Sequence, residues 1–137
     1  MKIKRLSIED VEFIAHTYAQ TYSDWHEPIP SFKARYVGVL ERCLAAPHQT
    51  FEGQLYGGLV KKAAILFYLM IKNHPFHDGN KRLALIALLV FLVRNGKWLN
   101  ASNDELYLLA ISIAGSEAKS KSSTVKAIER FLRKHVS

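Results

Sequence analysis

The sequence predicts an all-α fold: a compact single-domain bundle of about six helices that spans residues 1–137. Apolar residues recur every three or four positions, as in helices that bury one face, and no segment alternates with the period of two that marks a strand. The 137 residues, 49% of them hydrophobic, suffice for one core but not for two domains of ordinary size. Seven glycines and four prolines are too few for a low-complexity or wholly disordered chain.

The first two helices are predicted on either side of a loop that contains two prolines. Ser7 precedes acidic and then apolar residues, a pattern typical of a helix start, so the first helix should run from about Ile8 to Tyr22. The prolines between Trp25 and Ser31 exclude a helix there. Helical spacing of apolar residues from Phe32 onward predicts a second, shorter helix that ends before Pro47.

The third and fourth helices are predicted on either side of a short polar turn. After an irregular connection from Pro47 to Gly58, the stretch from Leu59 to Asn73 is rich in helix formers and stops before a His-Pro step. The next helix should begin near Asn80 and run to Arg94, where Asn95-Gly96 supplies a left-handed stop. Because this fourth helix is nearly all apolar, we expect it to be central.

The last two helices are predicted from serine-rich caps. Ser102 and the polar residues after it should open the fifth helix, which runs to about Ala114. The segment Ser122–Thr124 should cap the sixth helix, in which four apolar positions face inward: Val125, Ile128, Phe131 and Leu132. The stretch Ala118–Ser123 has the composition of a linker, but too little chain follows it for a second domain.

Charge and cysteine content restrict the partners and the compartment. Nineteen Lys and Arg against 12 Asp and Glu leave a net charge of +7, which favours nucleotide phosphates, nucleic acid or an acidic protein as partner. The one cysteine, Cys43, cannot form an intramolecular disulfide, which suits a reducing cytoplasm. The longest apolar stretch, Leu83–Val93, is about half as long as a membrane span, and the basic N-terminus lacks the apolar core of a secretory signal. We therefore expect a cytoplasmic protein without a membrane partner.

One segment carries most of the chemistry: residues 74–82 read His-Pro-Phe-His-Asp-Gly-Asn-Lys-Arg. Taken alone, the His-Pro and Asp-Gly steps are typical of turns, and the Lys-Arg pair is typical of a solvent-exposed helix face. Together they open a helix, where backbone N–H groups and the positive end of the dipole favour an anion, and Gly79 lets that anion come close. Lys81 and Arg82 oppose the dipole preference, a cost that a bound polyphosphate would offset.

The remaining polar residues of this segment suggest group transfer. Asp78 is a hard oxygen ligand of the kind that Mg²⁺ prefers, and Asn80 can bind phosphate oxygens or the water shell of the ion. A histidine such as His74 can accept a proton near neutral pH from an attacking hydroxyl. His77 is expected to be exposed in mid-turn and is not assigned to the site. Together, these residues indicate the transfer of a phosphorus-containing group from a nucleotide to a hydroxyl.

These nine residues resemble the core motif of the Fic/Doc superfamily. Fic adenylyltransferases carry a second glycine between the asparagine and the arginine, whereas Doc (death-on-curing) toxins carry a lysine, as Lys81 does here. Similarity extends from about Leu6 to Gly115 and includes Lys62-Ala63-Ala64. The Doc branch is therefore favoured.

The resemblance implies a Fic/Doc-like helical bundle with kinase activity. The family's Doc toxins transfer the γ-phosphate of ATP to a threonine of elongation factor Tu and so inhibit translation. By position, His74 would be the general base, Asp78 the Mg²⁺ ligand and Phe76 the anchor of the loop, while Pro47–Tyr56 would be a flap that positions the target. The residues that would bind the ATP phosphates are Gly79, Asn80, Lys81 and Arg82.

The sequence departs from the family pattern at two points. Leu83 stands where Doc proteins often have a small hydroxyl residue, and the chain has no Ser/Thr-x-x-x-Glu-Gly/Asn pattern of the self-inhibited Fic proteins. Control is therefore expected in trans, from a small antitoxin whose C-terminal segment folds onto the toxin.

The alternative functions are an adenylyltransferase that uses the same site and a binding module without turnover. The basic helix Lys126–Lys134 could bind nucleic acid, but a solvated basic face needs no partner, so we do not expect direct nucleic-acid binding.

Overall fold

The computed structural model describes residues 2–21, 37–50, 53–75 and 79–137. In these ranges the chain forms six α-helices and two short 3₁₀ helices, with isolated bridges but no strand, and the predicted all-α bundle is confirmed. The α-helices in chain order are α1 (Ile8–Thr21), α2 (Val37–Ala45), α3 (Leu59–Lys72), α4 (Asn80–Arg94), α5 (Asn103–Ala114) and α6 (Lys121–His135). No helix in these ranges is long and apolar enough to cross a lipid bilayer.

The predicted caps hold for α5 and for the end of α4 but not for α6. Ser102 and Glu105 form a reciprocal capping box at the start of α5, and Gly96 has the left-handed backbone expected after α4 (φ 77°). The cap predicted at Ser122–Thr124 is wrong, because α6 already begins at Lys121. A 3₁₀ helix, Ala118–Ser120, leads directly into it, so this linker-like stretch is helical rather than extended.

The central helix is α3 rather than α4. It packs against α2, α4, α5 and α6, and nine of its 14 residues are buried. The two largest fully buried side chains are Phe67 of α3 and Phe91 of α4, which lie in a core to which all six helices contribute. The prediction that α4 is central needs correction, because its outer side carries Val93, which is 53% exposed.

Polar contacts fasten the N-terminal segment and α1 to the end of α4. Arg94 donates to both carboxylate oxygens of Asp10, at 2.6 and 3.1 Å. The Asn95 side-chain amide accepts from the Lys4 N–H at 2.7 Å and donates to the Lys4 carbonyl at 3.1 Å. The segment before α1 is thus held across the end of α4 although it belongs to no sheet.

The predictions for residues 22–36, 51–52 and 76–78 lie outside the described ranges. They comprise the proline-containing loop, the first turn predicted for the second helix, and three motif residues: Phe76, His77 and Asp78.

Candidate functional site

The turn between α3 and α4 holds the predicted catalytic histidine. Asn73 ends α3 with its N–H donating to the Leu69 carbonyl at 2.9 Å, and Pro75 beyond it is buried. His74, between them, has a φ of 48° and an exposed side chain. Non-glycine residues adopt this left-handed conformation at a cost of about 1–2 kcal/mol, which persists only where the surroundings enforce it. The end of α3 and the buried proline therefore hold the imidazole out to solvent.

The start of α4 is built for close approach to its backbone. Gly79 occupies the N-cap position with φ 73° and ψ 20°, a conformation that glycine adopts without strain, and it has no side chain to cover the helix end. The first intrahelical hydrogen bond runs from the Leu83 N–H to the Gly79 carbonyl at 2.9 Å. Asn80, Lys81 and Arg82 form the first turn beyond this cap.

Positive charge accumulates at this helix start. The first turn of α4 carries Lys81 and Arg82 but no acidic residue, so two cations lie at the positive end of the dipole. Lys81 is exposed and Arg82 is half-buried. An anion would be favoured here by both the cations and the dipole, and a polyphosphate with several negative charges fits this donor set.

Five of the six predicted site residues thus lie around one turn. They are His74, Gly79, Asn80, Lys81 and Arg82. The sixth, Asp78, lies outside the described residues, and its assignment as the Mg²⁺ ligand stays a prediction. Within the described ranges no group of three or more metal-ligating side chains comes together.

The stretch predicted as the target flap lies at the other end of α3. Buried Lys62, in the first turn of α3, donates from Nζ to the Pro47 carbonyl at 3.1 Å and to the Tyr56 carbonyl at 2.6 Å. Roughly 15 Å of helix separates Lys62 from Lys72, just before the turn between α3 and α4. The role of Pro47–Tyr56 as a flap that positions the target stays a prediction.

Lys62 is the residue that sequence reasoning undervalued. Its side chain is only 4% exposed, and burial lowers the pKa of its ammonium group. Part of the signal was in the sequence, because the residues three or four positions from Lys62 on the same helix face, Leu59, Ile65 and Leu66, are apolar. Its acceptors could not be predicted, since both are backbone carbonyls of an irregular segment.

Comparisons with known proteins bear on the family of this chain. Residues 5–92, more than half of the chain, match the profile of the Fic/DOC family. Over 73 residues the chain is 41% identical to Toxin Doc of Mycolicibacterium smegmatis, an alignment that covers 53% of this chain and 56% of that protein. The chain thus spans little more than half the length of the curated relative that it matches.

Proposed function

Because the chain belongs to the Fic/Doc family, in its Doc branch, we propose that it is the toxin of a toxin–antitoxin system and acts as a protein kinase. In this proposal it transfers the γ-phosphate of ATP to a threonine hydroxyl of elongation factor Tu and thereby blocks translation. A small antitoxin would bind it in trans. Support for the toxin role comes from the similarity to Toxin Doc, and support for kinase chemistry comes from the turn between α3 and α4.

The observation that carries the proposal is the joint placement of His74 and the first turn of α4. An exposed imidazole on a strained backbone lies one short turn from α4, whose first turn carries two cations and no acidic residue. The imidazole can serve as a base and the helix start can hold phosphates, so both requirements of phosphoryl transfer meet on one turn. Lys81, where adenylyltransferases of the family have glycine, favours transfer of the terminal phosphate.

The reaction follows from these roles. His74 accepts the proton of the target hydroxyl while that oxygen forms a bond to the γ-phosphorus, and the bond between this phosphorus and the bridging oxygen breaks, releasing ADP. Lys81, Arg82 and the backbone beside Gly79 hold the phosphates and balance their negative charge. Mg²⁺, for which we propose Asp78 as ligand, supplies further charge neutralisation when bound.

The direct test is the mass of the target after reaction. Elongation factor Tu is incubated with Mg-ATP and either the wild-type protein or the His74→Ala variant, and its intact mass is then measured. A gain of about 80 Da from the wild type alone is expected, since that is the mass of one phosphoryl group. A gain of about 329 Da would instead identify adenylyl transfer and overturn the kinase proposal.

Controls separate loss of chemistry from loss of fold. The His74→Ala variant should keep the helical circular dichroism and the unfolding midpoint of the wild type, because its side chain is exposed. Label should pass to the factor from γ-³²P-ATP but not from α-³²P-ATP. Full activity of His74→Ala would refute the assignment of the base, and no transfer to the factor would refute the proposed target.

The toxin role has its own test in cells. Induced expression of the wild-type chain should arrest growth and protein synthesis, and expression of His74→Ala should not. Equal arrest by both chains would show that toxicity does not depend on the proposed transfer. Rescue by a co-expressed neighbouring gene product that binds the purified chain would identify the antitoxin.

A further inference from the structure

A second charged site lies at the end of α3 that is opposite to the catalytic turn. The N-terminal segment, the connection between α2 and α3, and the first turn of α3 form an open cleft of about 300 Å³, which we call the basic cavity. Its lining residues are Lys2, Ile3, Arg5, His48, Gln54 and Lys62.

Positive charge predominates among the described residues that line the basic cavity. Three of them are cations, two from the N-terminal segment and one from α3, and no described carboxylate is among them. Arg5 and Lys2 form no ion pair with a carboxylate of the described ranges. Like charges that converge without a counter-charge repel one another, and a bound anion would relieve that repulsion.

His48 contributes a ring that is neutral at neutral pH. Burial, together with the nearby charges of Arg5 and Lys62, lowers its pKa to about 4. The ring is therefore neutral at neutral pH and can donate one N–H to a ligand. The side-chain amide of Gln54 adds two further donors, so the lining combines cations with neutral donors.

The walls of the basic cavity are held in place by contacts outside it. Lys62 is fixed by the carbonyls of Pro47 and Tyr56, and the His48 ring packs edge-on against Phe91 with centroids 6.1 Å apart. The Asn95 amide fixes the backbone between Ile3 and Arg5. Lys62, His48 and the N-terminal backbone are therefore held before binding and lose little freedom, which favours affinity, whereas the Lys2 and Arg5 side chains are exposed.

We propose that the basic cavity is a binding site for a small phosphate-bearing anion. Its volume is at the lower end of the range of small-molecule pockets, so it suits a phosphate or a compact phosphomonoester rather than a large nucleotide. Arg5 offers the planar fork that pairs with two phosphate oxygens, and Lys2 adds a second charge from the same segment. This site is separate from the catalytic turn and does not depend on the proposed kinase reaction.

Titration with inorganic phosphate tests the proposal at the level of single residues. Amide shifts of ¹⁵N-labelled protein are followed at constant ionic strength, with chloride as the balancing anion, and the His48 ring protons are followed in the same samples. Saturable shifts are expected at Ile3, Arg5, His48 and Gln54, and the pKa of His48 should rise because a bound anion favours the imidazolium. Shifts confined to Gly79–Leu83 would overturn the proposal, since they would locate the only phosphate site at the catalytic turn.

Matched charge variants distinguish phosphate binding at the lining residues from non-specific electrostatic attraction to the protein. Arg5→Gln should weaken phosphate binding at the basic cavity about tenfold, the effect of losing one charge-assisted contact. Lys61→Gln is the control, because it removes the same charge from an exposed neighbour of Lys62 that does not line the cavity. Equal weakening by both variants would overturn the proposal. Lys2→Gln, on the exposed N-terminal segment, repeats the test independently of Arg5.

A second titration identifies the source of the phosphate group. Ribose 5-phosphate is compared with inorganic phosphate on the wild-type protein. Tighter binding of the ester at the same residues would indicate a phosphorylated metabolite, and equal or weaker binding would indicate the free ion; either result supports the site. Absence of saturation with both ligands would refute it.

Discussion

Replacing Lys62 with methionine should lower the free energy of unfolding by about 2 kcal/mol. Nζ of Lys62 donates at 3.1 Å to the buried Pro47 carbonyl and at 2.6 Å to the less buried Tyr56 carbonyl. A buried acceptor left without a donor costs about 1–3 kcal/mol, and the Tyr56 carbonyl should cost less because water can reach it. The variant also recovers part of the desolvation cost of the ammonium, and the net loss is therefore about 2 kcal/mol.

Urea unfolding at pH 7 measures this loss, with Lys61→Met as the matched control. Lys61 is exposed, so its replacement should change the free energy of unfolding by less than about 0.5 kcal/mol. Amide hydrogen exchange provides a local readout at Leu55, whose N–H donates to the Gln49 carbonyl at 3.1 Å within the connection that Lys62 holds. Its exchange should accelerate in Lys62→Met and not in Lys61→Met.

One result would refute the reasoning. If both methionine variants unfold at the same urea concentration and Leu55 exchanges at the wild-type rate, the two carbonyls find other donors and Lys62 does not hold the connection. A global loss of stability with unchanged local exchange at Leu55 would contradict the local part of the argument alone.

Three further predictions concern charge, backbone conformation and thiol reactivity. The hydrogen bond from Arg94 holds the pKa of Asp10 below its usual 3.8, so the pair should stabilise the fold above about pH 4 and cease to do so as the pH falls through the lowered pKa. Asp10→Asn should therefore cost about 1 kcal/mol at pH 7 and progressively less as the pH falls through that lowered pKa in urea titrations, with exposed Glu9→Gln showing no such difference. Gly79→Ala should cost about 1 kcal/mol by thermal unfolding, because alanine at φ 73° is strained; a cost of zero would mean that the turn rearranges. Burial raises the pKa of Cys43 to about 11, so the native protein should not react with a thiol reagent at pH 8, whereas the urea-unfolded protein should; rapid native labelling would contradict this burial.

Helix positions were predictable because they depend on local patterns. The apolar spacing from Leu59 and the breaks at His74-Pro75 and Asn95-Gly96 predicted the bounds of α3 and α4 to within about a residue. The capping box at Ser102 needs only residues that are neighbours in the chain. The start of α6 was missed because a 3₁₀ turn and an α-helix have similar local preferences, and tertiary contacts decide between them.

The candidate site was predictable where its residues are contiguous, and the rest depends on distant contacts. The motif assembles five predicted residues around one turn because the helix start itself brings them together. The basic cavity, in contrast, joins Lys2, Arg5, His48 and Lys62 from three segments. These residues lie close together because the N-terminal segment crosses the end of α4. No local pattern in the sequence predicts that crossing.

The central position of α3 also determines when the turn between α3 and α4 can form during synthesis. One side of α3 is covered by α6, whose buried residues Ile128 and Leu132 are made more than 50 residues after Lys72. Until α6 has left the ribosome, one side of α3 has no helix packed against it. The end of α3 is then less rigid, and the strained backbone conformation of His74 is not enforced. We therefore expect a nascent chain to be inactive until α6 emerges, so that synthesis leaves a short interval in which a partner can bind the chain before its activity begins.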